Sequence, residues 1–496
     1  MSTLVLLTLI LLTLLCIYLW NRRHLYAAAA HFCGPFALPF IGNGFTLMCD
    51  LEDFFDKLNG ILKQYEGCND PLRLWFGPHL VIALRDPVHL EKIMTSQKFA
   101  HKSDMMDIVK YYWGEGLISA SGATYRKQKK VIQPIFDLSY TESAMDLFYK
   151  HTNICMEKLN EFVGRGTFNI YEYISLFAVD LTGEVIAGQN IRSQEFGRTD
   201  FCDSLVDMYK VCVTRMSTVW QHSEILFNFA SQKKRHDKVR RDFSNFTQKA
   251  IDDSRARRKS EYTQTNDKFL PAIDILTKLD EDCSDLFTNQ ELKDNLVTLF
   301  AATEDPLGLI SSFSVLCFGM YPEYQKKAVE EIRKVIGENP REVTIQDLRE
   351  LEYLDMCVKD VLRLFPIAPF MLRKVTEDYK LDKWILPKGA TVAITAHYFH
   401  MNNAFWENPK HFHPDHFLPE AVGKRHIYSY LPFSAGPRGC IGKTFANISI
   451  KTFLIHLLQR FEIEADGKVP DIALMSDISV RPKKGFNVRL KKRVWS

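Results

Sequence analysis

The chain has 496 residues and a formal net charge of +3, with 46% hydrophobic and 25% charged residues. This composition is typical of a globular protein and excludes a disordered or collagen-like chain. The short basic runs are typical of solvated helix faces, so we expect no nucleic-acid partner. Eleven cysteines, scattered and odd in number, are not typical of a disulfide framework and favour a reducing compartment.

An uncharged segment near the N-terminus, from Leu4 to Trp20, approaches the hydrocarbon thickness of a bilayer as a helix. Arg22 and Arg23 follow it and no basic residue precedes it, so the positive-inside rule leaves the remaining chain in the cytosol. A cleaved signal peptide is the alternative, but the segment lacks a charged front and a clear cleavage site. We therefore expect a transmembrane signal-anchor with its basic flank over residues 1–24.

The region after the anchor contains Pro35 and Pro39, each close to a glycine, and predicts a stiff turn. Residues 25–45 are therefore interpreted as a proline-rich hinge. No internal repeat, Gly/Ser linker or long low-complexity stretch divides residues 46–496, which predicts a single domain behind the anchor.

Periodicity predicts a mainly helical domain with a small β-region. Residues from Leu72 to Leu84 alternate between apolar and polar types around a Gly-Pro pair, which indicates a hairpin. The pattern is helical from Tyr140 to about Gly337, apart from a polar stretch from Ser254 to Lys268 that is typical of a surface loop. One long helix is expected from about Leu292 to Gly319.

A glycine-rich loop places Cys440 just before an apolar helical segment. The positive end of a helix dipole lowers the pKa of a cysteine and favours the metal-binding thiolate. Gly436, Gly439 and Gly442 let the loop turn its amide groups toward the sulfur, where such bonds tune a metal. A buried free cysteine in a turn is the alternative, but the ten-residue pattern that starts at Phe433 favours an iron ligand.

This loop resembles the heme-ligand signature of the cytochromes P450, Phe-x-x-Gly-x-x-x-Cys-x-Gly with a basic residue two before the cysteine. Every position is filled, by Phe433, Gly436, Arg438, Cys440 and Gly442. The resemblance implies the P450 fold, mainly α with small β-sheets, in a single heme-thiolate catalytic domain. It also implies heme b (iron protoporphyrin IX) held through its iron by Cys440, whose electron donation favours O–O cleavage. Phe433 and Arg438 then belong to the heme-binding set, with Arg438 on a propionate.

Other segments stand where the family has further heme contacts. Tyr125 and Lys129, one helical turn apart, replace parts of the Trp-Arg-x-x-Arg-Lys helix under the heme. Arg373 ends a Pro-x-x-Pro-x-x-x-Arg segment that resembles the family's pocket-lining region. The resemblance implies that all three bind heme propionates, although a lysine lacks the fork of an arginine. For Tyr125 and Lys129, an amphipathic surface helix is the alternative.

A structural network of the family has a changed composition in this chain. Asp360 and Arg363 share a helix face where the family almost always has Glu-x-x-Arg. His416 stands where a second arginine is normal. We expect the three residues to form a buried network, weakened because histidine is often neutral at cytosolic pH.

The helix that crosses the heme departs most from the family, which has Ala/Gly-Gly-x-Asp/Glu-Thr-Thr there. Glu304 takes the acid position, whereas Asp305 and Pro306 replace the two threonines. We expect Thr303, Glu304 and Asp305 to deliver protons, with adjacent carboxylates raising one another's pKa. Pro306 should kink or open the helix and admit water. The alternative is that both carboxylates point away from the heme and the proline only bends the helix. Ala301 replaces the glutamate that esterifies heme in several relatives, so no covalent attachment is expected.

The tail of the chain looks most like the family-4 clan, including its insect members. That kinship implies a microsomal monooxygenase of the endoplasmic reticulum membrane. It would insert one oxygen atom from O2 into a small apolar substrate, a lipid or hydrocarbon, by hydroxylation or epoxidation. Electrons would come from NADPH through NADPH-cytochrome P450 reductase, with cytochrome b5 as a further partner and membrane lipid around the anchor. Residues expected along the substrate's path are Met105, Met106, Tyr111, Tyr112, Trp113, Met475 and Ile478.

Two other functions stay open at this point. P450 relatives that rearrange preformed hydroperoxides need no proton relay and commonly lack the helix threonine, as this chain does. A non-catalytic heme-binding or ligand-sequestering protein is the second alternative, suggested by simultaneous changes in the oxygen helix and the Asp360 network. Turnover of a lipid hydroperoxide without reductase separates the first alternative from a monooxygenase, and consumption of NADPH coupled to product formation argues against the second.

Overall fold

The computed structural model describes residues 3–68, 71–218, 221, 223–260, 269–283 and 286–495. Helices dominate this part of the chain, as the sequence predicts. They are α1 (Thr3–Ala29), α2 (Gly44–Leu47), α3 (Phe54–Gln64), α4 (Pro87–Thr95), α5 (Asp107–Trp113), α6 (Gly122–Ile132), α7 (Leu138–Ser143), α8 (Met145–Asn160), α9 (Tyr171–Ala187), α10 (Ser193–Phe196), α11 (Asp200–Ser217), α12 (Glu224–Phe227), α13 (Lys233–Ser260), α14 (Ala272–Asp282), α15 (Asn289–Met320), α16 (Pro322–Val335), α17 (Ile345–Glu350), α18 (Glu352–Leu364), α19 (Ala396–His400), α20 (Pro419–Val422) and α21 (Lys443–Arg460).

The strands are short and form small sheets. They are β1 (Leu72–Phe76), β2 (His79–Leu84), β3 (Phe168–Asn169), β4 (Phe370–Lys374), β5 (Tyr379–Leu381), β6 (Trp384–Leu386), β7 (Thr391–Thr395), β8 (Phe461–Glu464), β9 (Leu474–Ser476), β10 (Val480–Pro482) and β11 (Asn487–Lys492). The predicted class, mainly α with small sheets, is confirmed.

The four-stranded sheet has the order β1–β2–β7–β4. β1 and β2 form the antiparallel hairpin that the alternating pattern predicts, with Leu74 opposite Val81. β2 runs parallel to β7, with Ile82 beside Val392. β4 is an edge strand, antiparallel to β7, and carries Arg373. Parts of the chain that are distant in sequence therefore meet in one sheet, next to the cysteine loop.

α15 lies at the centre of the helical core and packs against α9 and α21. A capping box fixes its start, since the Thr288 hydroxyl accepts from the Glu291 amide at 3.1 Å and the Glu291 carboxylate accepts from the Thr288 amide at 2.8 Å. Every residue from Leu307 to Met320 is buried. A helix that is buried all round belongs to the core. The long helix predicted from sequence is confirmed and holds its acidic residues in a fixed place.

α1 continues past residue 24, the predicted end of the anchor, to Ala29. Its last turns pack on the hairpin: Tyr26 stacks on Trp75 with ring centroids 4.7 Å apart, and Arg22 donates to the Pro78 carbonyl. Among the described residues, α1 is the helix long and apolar enough to cross a membrane by length and composition. The predicted hinge thus begins within a helix that already contacts the domain.

The surface loop expected from Ser254 to Lys268 is wrong over its first part, because α13 continues to Ser260. The Ser254 hydroxyl lies 2.7 Å from the Thr277 hydroxyl in a buried contact with α14. Polar residues here join two helices, a tertiary pairing that local polarity does not reveal. The remainder of the expected loop, residues 261–268, lies outside the described residues.

Candidate active site

Cys440 lies between a short 3-10 turn, Gly436–Arg438, and α21, which begins at Lys443. The Cys440 backbone amide donates to the Phe433 carbonyl at 2.9 Å and closes the loop. The Gly442 amide donates to the sulfur. An N–H directed at a sulfur favours its anionic form. The loop therefore presents the sulfur together with a donor for its charge.

Gly436 fixes this loop against α4. Its φ angle is +66°, and a Cβ atom here would lie 1.9 Å from the Met94 carbonyl oxygen. The left-handed backbone and the close approach both require glycine. The position of the sulfur is therefore set by contact between two main chains.

The sulfur of Cys440 borders an enclosed but accessible space. The residue is exposed. Burial nevertheless raises the pKa of its thiol, and the Gly442 amide and Lys443 oppose that rise. The predicted lowering of this pKa is therefore wrong in its net direction, because desolvation outweighs the nearby donors. A side chain that is both exposed and desolvated faces a cavity inside the protein.

Tyr125 and Lys129 of α6 bind the cysteine loop. The Tyr125 hydroxyl donates to the Pro437 carbonyl at 2.7 Å, and the Lys129 ammonium donates to the same oxygen at 2.5 Å. The Arg438 guanidinium lies over the Tyr125 ring, 3.6 Å from its centroid. Both donors thus contact the loop itself, and their predicted contact with propionates stays a prediction.

Lys102, Arg373 and Arg438 bring three cations together. A backbone bridge joins Lys102 to Arg373. Burial, then repulsion by the two arginines, holds the pKa of Lys102 well below its usual value. Burial, then repulsion by Arg438, lowers the pKa of Arg373 to about 10. Among the described residues no carboxylate pairs with any of the three, so the cluster, named here the Lys102 cluster, is uncompensated.

Sequence reasoning selected Arg373 and Arg438 but missed Lys102. No local motif marks this lysine, since it meets Arg373 only through the backbone bridge between a loop and β4. The pairing depends on the tertiary fold, which a local pattern does not contain.

The residues present fit a heme. Thiolate is a ligand of heme iron, and two propionates supply the anions that a buried cationic cluster requires. Nη1 of Arg438 is buried and has no hydrogen-bond partner within the described residues, two positions before Cys440. An orphaned guanidinium nitrogen beside an accessible thiol suits a cofactor that carries both a metal and carboxylates.

Asp360, Arg363 and His416 meet in the core, which confirms the predicted network. The Asp360 carboxylate accepts from Nε of Arg363 at 2.6 Å and from Nδ1 of His416 at 3.0 Å. Nε2 of His416 donates to the Glu407 carbonyl at 2.6 Å. Both ring nitrogens of His416 therefore face acceptors. The expectation that a neutral histidine weakens this network stays a prediction.

α15 has an open strip within its otherwise buried middle. Ala302 is exposed and Thr303 and Pro306 are partly exposed, whereas Ala301 is buried. Ala302, rather than Ala301, therefore borders accessible space. The Thr303 hydroxyl donates to the Leu299 carbonyl at 2.8 Å. The helix is continuous through Pro306, so the opening expected there is not found.

Glu304 and Asp305 lie on buried sides of α15. The Asp305 carboxylate accepts from Arg481, and from the Ser479 hydroxyl at 2.5 Å. Oε2 of Glu304 is buried and has no hydrogen-bond partner in the described part of the chain. Burial, and then the charge of Asp305, raises the pKa of Glu304 to about 8. The two carboxyl groups thus have different surroundings, and their part in proton delivery stays a prediction.

Tyr112 and Trp113, expected along the substrate's path, are engaged in helix packing. The Tyr112 hydroxyl lies 2.8 Å from Nδ1 of His236, and Nε1 of Trp113 contacts the Met208 sulfur at 3.1 Å. Tyr111 is more exposed and, with Tyr112, lines a cleft of about 550 Å³ among α5, α13 and α15. None of the residues that line this cleft belongs to the cysteine loop, so it is separate from the space beside Cys440.

Helices packed around α15, a cysteine loop seated on α4 and the uncompensated Lys102 cluster beside it define a heme-thiolate protein. The family model described as Cytochrome P450 matches residues 33–489, and the chain belongs to that family. It is accordingly a heme-dependent monooxygenase, an oxidoreductase.

Its relatives are P450s of the family-4 clan. Cytochrome P450 4c3 of Drosophila melanogaster is 28% identical over 501 aligned residues, which cover 97% of this chain and 93% of the relative. Cytochrome P450 4V2 of Homo sapiens is 29% identical over 470, covering 92% and 89%. Cytochrome P450 4c21 of Blattella germanica is 29% identical over 470, covering 93% and 93%. The predicted kinship to this clan is confirmed.

Proposed function

We propose that this monooxygenase is anchored in the endoplasmic reticulum membrane and inserts one oxygen atom into an apolar lipid or hydrocarbon. One observation supports the oxygen chemistry above all: an accessible thiol, Cys440, lies next to the uncompensated Lys102 cluster. Thiolate-bound heme, when bound, supplies the activation of dioxygen. The reaction on the substrate is a hydroxylation or an epoxidation.

Each residue of the site has a role in this proposal. Cys440 binds the iron, and Phe433 closes the loop that carries it through its carbonyl. Lys102, Arg373 and Arg438 bind the propionates, because they are desolvated cations that no carboxylate of the described residues pairs with. Tyr125 and Lys129 stabilise the loop through Pro437, which keeps the sulfur in place.

The lipid substrate is supported by the kinship to the family-4 clan. The apolar helix α1 supports a membrane anchor, with the domain on the cytosolic side and membrane lipid around the helix. Electrons then come from NADPH through NADPH-cytochrome P450 reductase, and cytochrome b5 is a further donor. An apolar substrate dissolved in the bilayer reaches such an enzyme without crossing water.

A binding screen of fatty acids, alkanes and related lipids tests the substrate class. Binding of an apolar ligand near heme iron displaces water, so we expect a shift of the iron spin state with some of these compounds. The same compounds, given with reductase and NADPH, should yield products that contain one added oxygen atom. A spin-state shift with polar compounds only, and no lipid product, would refute the proposal.

Rearrangement of lipid hydroperoxides is a second candidate, favoured by the open strip of α15. The exposed Ala302 and the partly exposed Pro306 carry no hydroxyl, and the Thr303 hydroxyl is bound to Leu299. Such a reaction needs neither reductase nor delivered protons. Turnover of a hydroperoxide without NADPH, with no product from the parent lipid plus reductase and NADPH, would select this candidate.

A further inference from the structure

A buried cluster of polar side chains fixes the β9–β10 hairpin to α15. Arg481 of β10 forms ion pairs with Asp305 of α15 and, at 2.9 Å, with Asp477 in the hairpin turn. It also donates to the Tyr171 hydroxyl of α9 at 2.8 Å. Ser479 adds a hydrogen bond to Asp305 at 2.5 Å. One guanidinium therefore joins two helices and a hairpin, and Asp305 receives two donors.

Glu304, the neighbour of Asp305, has no comparable partner. It is 6% exposed, and its Oε2 atom has no hydrogen-bond donor among the described residues. The charged and titratable groups that face it are Asp305 on its own helix, Arg481 on β10, Tyr171 on α9, Cys202 and Tyr209 on α11, and Arg198 just before α11. Of the two arginines, Arg198 is paired with Asp203 at 3.0 Å, and Arg481 is paired with Asp305.

We infer that Arg481 is a positioning residue that decides which of two adjacent carboxyl groups carries a proton. It holds Asp305 as the carboxylate, and Glu304 is consequently the acid. Two adjacent carboxyl groups away from water do not both ionise at neutral pH, and the one with a cation and a hydroxyl donor ionises first. The surroundings of the two residues differ in that way.

The direction of the pKa shifts agrees with this assignment. Burial, then the charge of Asp305, raises the pKa of Glu304 to about 8. Burial raises the pKa of Asp305 as well, but Arg481 and Ser479 oppose that rise. At neutral pH the single proton therefore resides on Glu304.

This inference deepens the proposed function and rests on it for the use of the proton. Oxygen insertion consumes protons, and a buried acid with a pKa near the working pH is suited to supply one. The sequence predicts Glu304 and Asp305, with Thr303, as members of one relay and does not say which carboxyl group holds the proton. The geometry assigns the proton-holding role to Glu304 and an electrostatic role to Asp305.

Infrared difference spectroscopy of the purified heme-bound protein tests the assignment, because a protonated carboxyl group has its own C=O stretching band. We expect a wild-type band that disappears as pH rises through about 8. Glu304→Gln should lose this band, whereas Asp305→Asn should keep it. In Asp305→Asn the band should titrate at lower pH, because a neighbouring negative charge is gone and Arg481 is left without that partner.

The double variant Glu304→Gln/Arg481→Gln is the decisive comparison. Without Arg481, Asp305 is buried with no cation from β10 and should become protonated, so this variant regains a titrating band that Glu304→Gln lacks. Arg489→Gln is the matched control, since Arg489 pairs with Asp466 and Glu464 at the surface. The control should keep the wild-type band and its midpoint.

Several outcomes would overturn the inference. They are a band that persists in Glu304→Gln, an unchanged midpoint in Asp305→Asn, or no regained band in the folded double variant. If the double variant does not fold, the Asp305→Asn midpoint still decides, because an Asp-to-Asn change preserves shape. Failure of the proposed function looks different, as a missing lipid product with these infrared bands intact.

Discussion

Two buried clusters of charged side chains differ in whether a carboxylate lies among them. The Asp360 network has one: Asp360 binds both Arg363 and His416. The Lys102 cluster, in which Lys102, Arg373 and Arg438 lie together, has none among the described residues. The first cluster is complete within the chain, whereas the second needs an anion from outside.

The difference separates a structural role from a binding role. Although burial raises it, the pKa of Asp360 is held below its usual value by Arg363 and His416, which shows that charge is compensated internally. The low pKa of Lys102 shows the reverse, because burial and like charges disfavour its cationic form. A buried cation whose pKa is driven down therefore indicates a ligand site, as the heme propionates would fill.

The largest expected effect concerns the sulfur beside the uncompensated cluster. Cys440→Ala removes the only thiol of the ligand loop, so the reduced protein treated with carbon monoxide should lose its thiolate-type Soret band completely. Cys155→Ala is the control, because Cys155 is a buried cysteine of α8 and should leave the band in place. An unaltered spectrum in Cys440→Ala would contradict the assignment of both the ligand and the neighbouring anion site.

Removing the carboxylate of Asp360 should leave the Asp360 network without an anion, as in the Lys102 cluster. Asp360→Asn leaves the Arg363 guanidinium buried without its counter-charge, and the free energy of unfolding should fall by about 3–5 kcal/mol. Denaturant titration at neutral pH measures the loss. Asp466→Asn, at an exposed ion pair with Arg489, should change the stability far less. Equal losses of stability in the two variants would show that the buried network stabilises the protein no more than an exposed ion pair does.

The acid limb of stability offers a related test of Asp360. Its folded pKa lies below the unfolded value of about 3.9, so its contribution is present above that pH and is lost as pH falls through the folded pKa. Asp360→Asn should therefore lose less stability on acidification than the wild type. Denaturant titration at several acidic pH values gives the slope of the free energy of unfolding against pH for the wild type and for Asp360→Asn. Identical slopes would contradict the low pKa of Asp360.

Removing a cation from the Lys102 cluster should have opposite effects in the two forms of the protein. Lys102→Met should stabilise the heme-free protein by about 1–3 kcal/mol, because a desolvated amine beside two like charges is replaced by an apolar chain. The same change should accelerate heme loss, because a propionate loses a partner. Thermal unfolding of the heme-free protein and heme transfer to apomyoglobin measure the two effects. Lys98→Met, at an exposed ion pair with Glu377, is the control. A variant that stabilises the heme-free protein and also slows heme loss, or that destabilises it and speeds heme loss, would refute an anion site.

The smallest expected effect concerns the loop between the cluster and the sulfur. Tyr125→Phe removes one of two donors to the Pro437 carbonyl but keeps the ring under Arg438. Lys129 still binds that oxygen, so stability should fall by only about 1 kcal/mol. Adding Lys129→Met should lower it by more than the sum of the single changes. Strict additivity, measured by denaturant titration, would show that the two donors act independently.

Local patterns sufficed for those parts of the molecule whose chemistry is local. The cysteine loop, the hairpin of β1 and β2 and the long helix α15 were predictable, because each depends on spacing within one segment. The same holds for Asp360 and Arg363, three residues apart on one helix.

The remaining features depend on contacts between distant segments. Lys102 meets Arg373 across a backbone bridge, and Arg481 reaches Asp305 from the C-terminal hairpin. The direction of the pKa shift of Cys440 depends on desolvation, which cannot be read from the spacing of residues in the sequence. The second contact of His416, with the Glu407 carbonyl, involves a residue that no motif includes.

The contact between α1 and the β1–β2 hairpin has a geometric consequence. Because Tyr26 stacks on Trp75 and Arg22 binds the Pro78 carbonyl, the apolar part of the helix leaves the domain at a set angle and rotation. One residue inserted before Arg22 would turn that apolar part by about 100° relative to the docked face. With α1 anchored in a bilayer as proposed, these two contacts would set the tilt of the enzyme toward the membrane, and such an insertion would change that tilt without touching the heme pocket.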